Sequence, residues 1–323
     1  MKLTRRAFVR LAAGGAALPV LARTAFALDY PVRPPHIIAG YPPGTAPDII
    51  ARLIGNWLSE RLGQQFITDN RPGAASNIGA GIAAKAEPDG YTLLIAVSTS
   101  TINATLYTNL SFNFVRDLVP VASIGATPFI VVVNPQFPAT SIPELIAYAK
   151  AHPGVVNMAT SGVGTGPHVA AELFQMMTGV KFVHVPYRGN YMADLLSGQV
   201  PMSFAPLATV IEFVRDGRMR ALGVTPAKRT AALPDVPAIG ELVPGYEAAG
   251  WYGLVAPKGT PDEVIDKLHD AVAAGLQDAN VRSRLLTVGV EPRPMSTAEF
   301  GNFIADETAK WAKVVREANI KPE

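Results

Sequence analysis

The chain contains no cysteine, so no disulfide can brace it and no cysteine can carry a lipid anchor. Histidine is sparse as well. His36, His152, His168, His184 and His269 fall into no H-E-x-x-H or similar spacing, so no metal centre is expected. No long apolar run approaches the roughly 20 residues that a membrane-spanning helix needs. Charged residues make up only 17% of the chain, and the basic excess is concentrated at one end. Lys2, Arg5, Arg6, Arg10 and Arg23 precede position 28 without an accompanying acid, and without those five the formal net charge falls from +2 to −3. No basic patch remains for a nucleic-acid partner.

That basic beginning has its own pattern. Thr4-Arg5-Arg6-Ala7-Phe8-Val9-Arg10 leads into the apolar, small-residue run Leu11 to Leu21, and Ala25-Phe26-Ala27 follows. A basic start, a short apolar stretch and a small-residue site read as a cleavable export signal over residues 1–27, and the paired arginines before Phe8 fit the twin-arginine type. The roughly 300 residues that follow can supply the core burial of two domains.

Beyond the leader, strands and helices alternate. His36-Ile37-Ile38-Ala39 reads as a strand, and Ile49, Ile50, Leu53, Ile54, Trp57, Leu58 and Leu62 recur at helical spacing with Gly63 as the stop. Strands are expected over Gln65–Thr68, Tyr91–Val97, Val155–Thr160, Phe182–Val185, Val200–Phe204 and Met219–Val224. Helices are expected over Asn77–Ala86, His168–Thr178, Met192–Ser197 and Leu207–Asp216. Ser141 with Glu144, Thr260 with Glu263 and Ser296 with Glu299 mark three capping boxes. The alternation predicts an α/β fold with mainly parallel sheets covered by helices. No repeat at a fixed period is evident. Val119–Val133 breaks near Pro128, and Thr225–Gly250 is rich in Pro and Gly. A chain that leaves one lobe, builds a second and returns would cross at these places. That puts 28–126 plus 251–323 in the first lobe, 127–250 in the second, the final helices on the first, and a hinged cleft between them.

Four apolar strands run into loops of small and hydroxylated residues. The loops are Tyr41-Pro42-Pro43-Gly44-Thr45, Ser98-Thr99-Ser100-Thr101, Ser161-Gly162-Val163-Gly164-Thr165-Gly166 and Pro186-Tyr187-Arg188-Gly189. Helix N-termini carry unpaired N–H groups and a partial positive charge, and small residues let a ligand reach them. Loops of this kind facing one crevice make a site for a small anion. Asp48, in the first turn of its helix, either favours the helix dipole or faces the cleft. Arg188 can hold a carboxylate bidentately or pair on the surface, and Tyr41 and Tyr187 supply apolar walls. Gly162-Val163-Gly164-Thr165-Gly166 lacks the G-x-G-x-x-G spacing and the later acid of a dinucleotide loop, so no cofactor is expected. Ser161 with His168 suggests an exported hydrolase, but position 159 is Ala where a nucleophile elbow needs Gly, and the expectation is that the protein is not an enzyme.

Several motifs in combination resemble those of the substrate-binding proteins of tripartite tricarboxylate transporters, the Bug family of extracytoplasmic solute receptors. They are Tyr41-Pro42-Pro43-Gly44 with Asp48, Asn70-Arg71-Pro72-Gly73-Ala74, Asn77-Ile78-Gly79, Pro88-Asp89-Gly90-Tyr91-Thr92-Leu93, Ser161-Gly162-Val163-Gly164-Thr165, Val185-Pro186-Tyr187-Arg188-Gly189, Leu233-Pro234-Asp235-Val236-Pro237 and Trp251-Tyr252-Gly253-Leu254. The resemblance covers essentially the whole chain after the leader. It implies a two-lobed periplasmic-binding-protein fold of the type II kind with two hinge crossings. It also implies a monomer in the periplasm, a small carboxylate as ligand, and a membrane permease of the tripartite type, or else a sensor, as partner. The ligand-binding residues it points to are Tyr41, Gly44, Thr45, Asp48, Ser98, Thr99, Ser161, Gly162, Gly164, Thr165, His168, Tyr187, Arg188 and Gly189. Two departures stand out: Thr45 replaces a second glycine of the first loop, and the stretch after Gly189 is shorter than the family pattern, so that Tyr191 and Met192 are expected to fill part of the pocket.

Overall fold

The first apolar run becomes strand β1 (His36–Ala39), and the periodic run after it becomes helix α1 (Ala46–Leu62), ended by Gly63 in a left-handed conformation with its N–H on Ser59 O. The computed structural model describes residues 29–187 and 190–322. The expected export leader, 1–27, lies outside the described residues, as do Arg188 and Gly189. Residues 31–323 form a single compact body.

Along that body follow β2 (Ile67–Asn70), α2 (Asn77–Ala84), β3 (Thr92–Val97), α3 (Ser98–Leu106), the short α4 (Phe114–Asp117) and the long β4 (Leu118–Val133). Next come α5 (Ile142–Ala151), β5 (Asn157–Thr160), α6 (Gly166–Thr178), β6 (Val183–Pro186), α7 (Met192–Ser197), β7 (Met202–Pro206), α8 (Leu207–Arg215) and β8 (Arg220–Val224). The chain closes with β9 (Ala249–Pro257), α9 (Asp262–Gly275), α10 (Ala279–Thr287), β10 (Glu291–Pro292) and α11 (Thr297–Glu317). Among the described residues no helix is long and apolar enough to cross a membrane.

The strands follow the order β2-β1-β3-β9-β4-β7-β5-β6. Two parallel groups, β2-β1-β3 and β7-β5-β6, flank β4 and β9, which run antiparallel to their neighbours. The sequence pattern suggests a break at Pro128, but β4 runs straight through it and changes partners there. Thr127 and Pro128 face Gly250 and Ala249 of β9, whereas Phe129 and Ile130 face Pro206 and Ala205 of β7. Proline has no N–H to give a ladder, so it is tolerated where pairing passes from one strand to another.

Separate cores lie on either side of that switch. Ile38, Leu94, Ala96, Trp251 and Phe300 pack together around β1 and β3, while Val131, Phe174, Phe204 and Tyr246 pack around β7. The final helix joins both, with Phe300 and Ile304 in the first core and Trp311, Val314 and Val315 in the second. Its start carries the expected capping box: Glu299 N–H donates to Ser296 Oγ at 3.2 Å, and Ser296 N–H donates to Glu299 Oε2 at 2.9 Å. At Ser141 only the forward half forms, from Glu144 N–H. The box expected at Thr260 does not form, because the Thr260 hydroxyl donates to Pro257 O at 2.8 Å and α9 begins beyond Pro261.

Candidate ligand-binding site

Four strand-to-helix junctions, β1 to α1, β3 to α3, β5 to α6 and β7 to α8, meet at the C-terminal ends of the parallel strands, where open α/β sheets bind ligands. They surround a cavity of about 310 Å³. Tyr41, Ala46 and Pro47 line it from the first junction, Ser98 and Thr99 from the second, Gly166 and Pro167 from the third, and Pro206, Ala208 and Thr209 from the fourth. The two long strands add Thr127, Phe129, Gly250, Trp251 and Tyr252, and Val97 and Val288 complete the lining.

The first and third junctions are built alike. Gly44-Thr45-Ala46-Pro47-Asp48 and Gly164-Thr165-Gly166-Pro167-His168 each place a glycine at positive φ, 81° and 74°, and a proline in the first helical turn. The Gly44 N–H donates to Asp48 Oδ2 at 2.9 Å, and the Gly164 N–H donates to His168 Nδ1 at 3.0 Å. The intervening threonines also match, with Thr45 Oγ1 on Pro42 O at 2.7 Å and Thr165 Oγ1 on Gly162 O at 2.8 Å. The same threonine-to-carbonyl bond recurs at Thr101 on Ser98 O and at Thr209 on Pro206 O. Although the sequence has no fixed-period repeat, it uses this turn twice.

Asp48 is almost fully buried and acts as a strut. Besides Gly44 it takes Asn70 Nδ2 at 2.9 Å and pairs with Arg52 Nη2 at 2.9 Å, while Asn70 Nδ2 also donates to Tyr41 O at 3.0 Å. Burial pushes the Asp48 carboxyl up, but the bonds from Arg52, Gly44 and Asn70 outweigh it and hold the group below its ordinary range. His168 is equally committed. Since the Gly164 N–H is a donor, Nδ1 must accept, which leaves the proton on Nε2, 3.6 Å from Glu172 Oε1. The ring stacks on His184 at 3.9 Å between centroids. Burial, and then the neighbouring His168, push His184 down to about 4. Among the described residues no hydrogen bond joins Ser161 to His168, the pairing that a hydrolase would need.

Among the described residues, none in the lining carries a charge. Burial pushes the Tyr41 phenol up to about 12, offset in part by its 2.7 Å bond with Thr99 Oγ1, and burial likewise raises Tyr252. Positive potential comes instead from the helix starts, whose first N–H groups have no intrahelical acceptor. Among the described residues of the lining, Trp251 Nε1 is buried without a hydrogen-bond partner. Such an orphan group costs about 1–3 kcal/mol unless a ligand or water meets it.

The expected residues divide accordingly. Tyr41, Ser98 and Thr99 line the cavity, while Gly44, Thr45, Asp48, Gly162, Gly164, Thr165 and His168 shape the two matching turns behind it. Ser161 is exposed. Tyr187 is not in the lining, and its hydroxyl donates to Asp194 Oδ2 at 2.7 Å. Tyr191 and Met192, expected in the pocket, pack with Leu195 and Ala205 in a core behind β7. Sequence reasoning missed Pro206–Thr209, which looks like an ordinary strand end, and the aromatic wall from Phe129, Trp251 and Tyr252.

A family model described as "Tripartite tricarboxylate transporter family receptor" matches residues 50–320. Among curated proteins, BugT of Bordetella pertussis is 36% identical over 316 residues, covering 96% of this chain and 95% of that protein. Two solved structures are similar over nearly all of the body. The R. palustris protein Rpa4515 with adipate has 36% identity and a TM-score of 0.77, covering 91% of this chain and 100% of that one. MatC from Rhodopseudomonas palustris with bound malate has 29% identity and a TM-score of 0.73, covering 88% and 100%.

Proposed function

Because the chain belongs to the tripartite tricarboxylate transporter receptor family, we propose that it is a periplasmic solute receptor that captures a small organic carboxylate in the cavity between its lobes and presents it to the membrane permease of such a transporter. The observation that carries this reading is the convergence of four helix N-termini on a cavity of about 310 Å³ whose lining, among the described residues, has no charged side chain. Amide dipoles attract an anion without a fixed countercharge. A cavity near the small end of ligand pockets fits a compact guest. The adipate and malate of the similar structures belong to that class.

The first lobe comprises 28–126 with 251–323 and the second 127–250, and the protein works as a monomer exported by a twin-arginine-type leader. A ligand that touches both lobes favours the closed state over the open one. Tyr41, Ser98 and Thr99 contact it from the first lobe, and Gly166, Ala208 and Thr209 from the second. Catalysis finds no support in this arrangement, since His168 is held by Gly164 and stacked on His184.

The test is a thermal-shift screen of the leaderless protein against mono-, di- and tricarboxylates, followed by calorimetry. A true ligand at 100 times its Kd adds about 2.7 kcal/mol of stability and is recovered unchanged. Stabilisation by no carboxylate, or release of a product, overturns the reading.

A further inference from the structure

The two matching turns differ in one chemically decisive place. In the first lobe the acceptor of the glycine N–H is a carboxylate, and in the second it is the imidazole of His168. A carboxylate accepts throughout the range from neutral to mildly acid pH, whereas histidine is the side chain whose charge ordinarily changes within it. Once protonated at Nδ1, His168 would turn an N–H toward the Gly164 N–H. Two donors would then face each other where a 3.0 Å hydrogen bond now stands. We propose that His168 is an acid-sensitive positioning residue: unprotonated, it latches the Gly164 turn so that the start of α6 faces the ligand, and protonated, it releases that turn and weakens carboxylate binding. The proposal rests on the solute-receptor reading for its ligand.

The surroundings support an on-off device. His184 of β6 lies flat against one face of the ring, and its other partner is Thr160 Oγ1 of β5. Burial keeps His184 neutral well into the acid range. Glu172, one turn along α6, approaches Nε2. Of the other elements packed on α6, β7 has no titratable residue, β9 brings Tyr252, α11 carries Glu299, Asp306, Glu307, Lys310, Lys313, Arg316 and Glu317, with Glu307 paired to Lys310 and Glu317 to Lys313, and Tyr246 donates to Ala170 O. Burial raises both tyrosines, which stay neutral. Gly164 itself sits against Leu106 of α3, which packs in the same core as Val169 and Phe174 of α6: a Cβ built there would lie 2.5 Å from Leu106 Cδ2.

The test has two arms. In the first, NMR follows the Gly164 amide and the His168 ring of the ligand-free protein from about pH 7.5 to about pH 5. The two signals should titrate together in the wild type, and the Gly164 signal should be flat in His168→Asn, whose amide oxygen can replace Nδ1 as acceptor. In the second, calorimetry with adipate and with malate should show affinity falling about three- to tenfold over that range, the worth of one hydrogen bond. His168→Ala should weaken binding at both pH values, while His168→Asn should restore it and remove the acid dependence. A Gly164 signal indifferent to His168 protonation, or an unchanged acid dependence in His168→Asn, overturns the latch. The NMR arm needs no ligand, so failure to bind either acid counts against the carboxylate reading alone, and the latch still stands or falls on Gly164.

Discussion

Asp48 and His168 hold equivalent places in the two halves of the molecule: each lies one helical turn past a left-handed glycine and accepts that glycine's N–H, at 2.9 Å and 3.0 Å. The bonds fix the angle at which α1 and α6 begin, and hence where their free amides point. Neither residue needs to touch a ligand to matter for binding.

Replacing Asp48 by Ala should unseat the first turn. Gly44 N–H would lose its acceptor, Arg52 its carboxylate, and Asn70 one of its partners. Urea unfolding near neutral pH should show a loss of about 1.5–3 kcal/mol, with Asp48→Asn between it and the wild type. The native carboxyl is held below its ordinary value of 3.8. Its contribution is therefore complete above that value and disappears as pH falls through the lower native one. The stability gap between wild type and Asp48→Asn should accordingly narrow in acid, and a gap that widens would contradict the strut.

Trp251→Phe separates a ligand contact from a structural one. The indole N–H is buried in the cavity wall without an acceptor, so removing it should leave the empty protein as stable as before or slightly more so. Carboxylate affinity should nevertheless fall by about 0.5–1.5 kcal/mol. Calorimetry and unfolding on the same samples decide, and equal affinity would place the N–H outside the site.

Gly289 faces Ala208, the first-turn residue of α8 in the cavity wall. A Cβ at Gly289 would stand 2.3 Å from Ala208 Cβ, and the backbone there has φ of +74°. Gly289→Ala should act as a wedge, lowering ligand affinity and expanding the ligand-bound form in small-angle scattering. Gly63→Ala is the control, since it has a similar φ with nothing near the new Cβ. It should cost about 1–2 kcal/mol of stability with no change in affinity.

Gly166→Ala tests the aromatic wall. The new Cβ would lie 2.6 Å from Phe129 Cζ, so the ring must turn into the cavity or α6 must shift. A loss of about 1–3 kcal/mol in stability is expected, with selectivity moved toward shorter carboxylates in a competition assay. An unaltered ligand ranking would show that Phe129 does not bound the guest.

Much of this was legible in the chain because strand and helix periods are local. The alternation from His36 onward, the stop at Gly63 and the box at Ser296 and Glu299 follow from neighbouring residues, and the turn chemistry of Tyr41–Thr45, Ser98–Thr101 and Ser161–Gly166 pointed to three of the four junctions. The rest depends on long-range pairing. Pro206–Thr209 has no glycine or serine to flag it, and it reaches the cavity only because β7 pairs with β4 on one side and β5 on the other. Pro128 resembles a break in the sequence and becomes a change of partner only once β7 and β9 are in place. The role of Asp48 was hidden for the opposite reason: a side chain that bonds to its own turn looks, in sequence, the same as one that reaches for a ligand.

The final helix has a mechanical meaning. It is anchored by Phe300 at one end and by Trp311 at the other, in different cores, with Glu307 between them accepting from Trp311 Nε1 at 2.8 Å. A single helix fastened in both cores ties them together along its length, so a substitution that shifts one end of it is felt at the other.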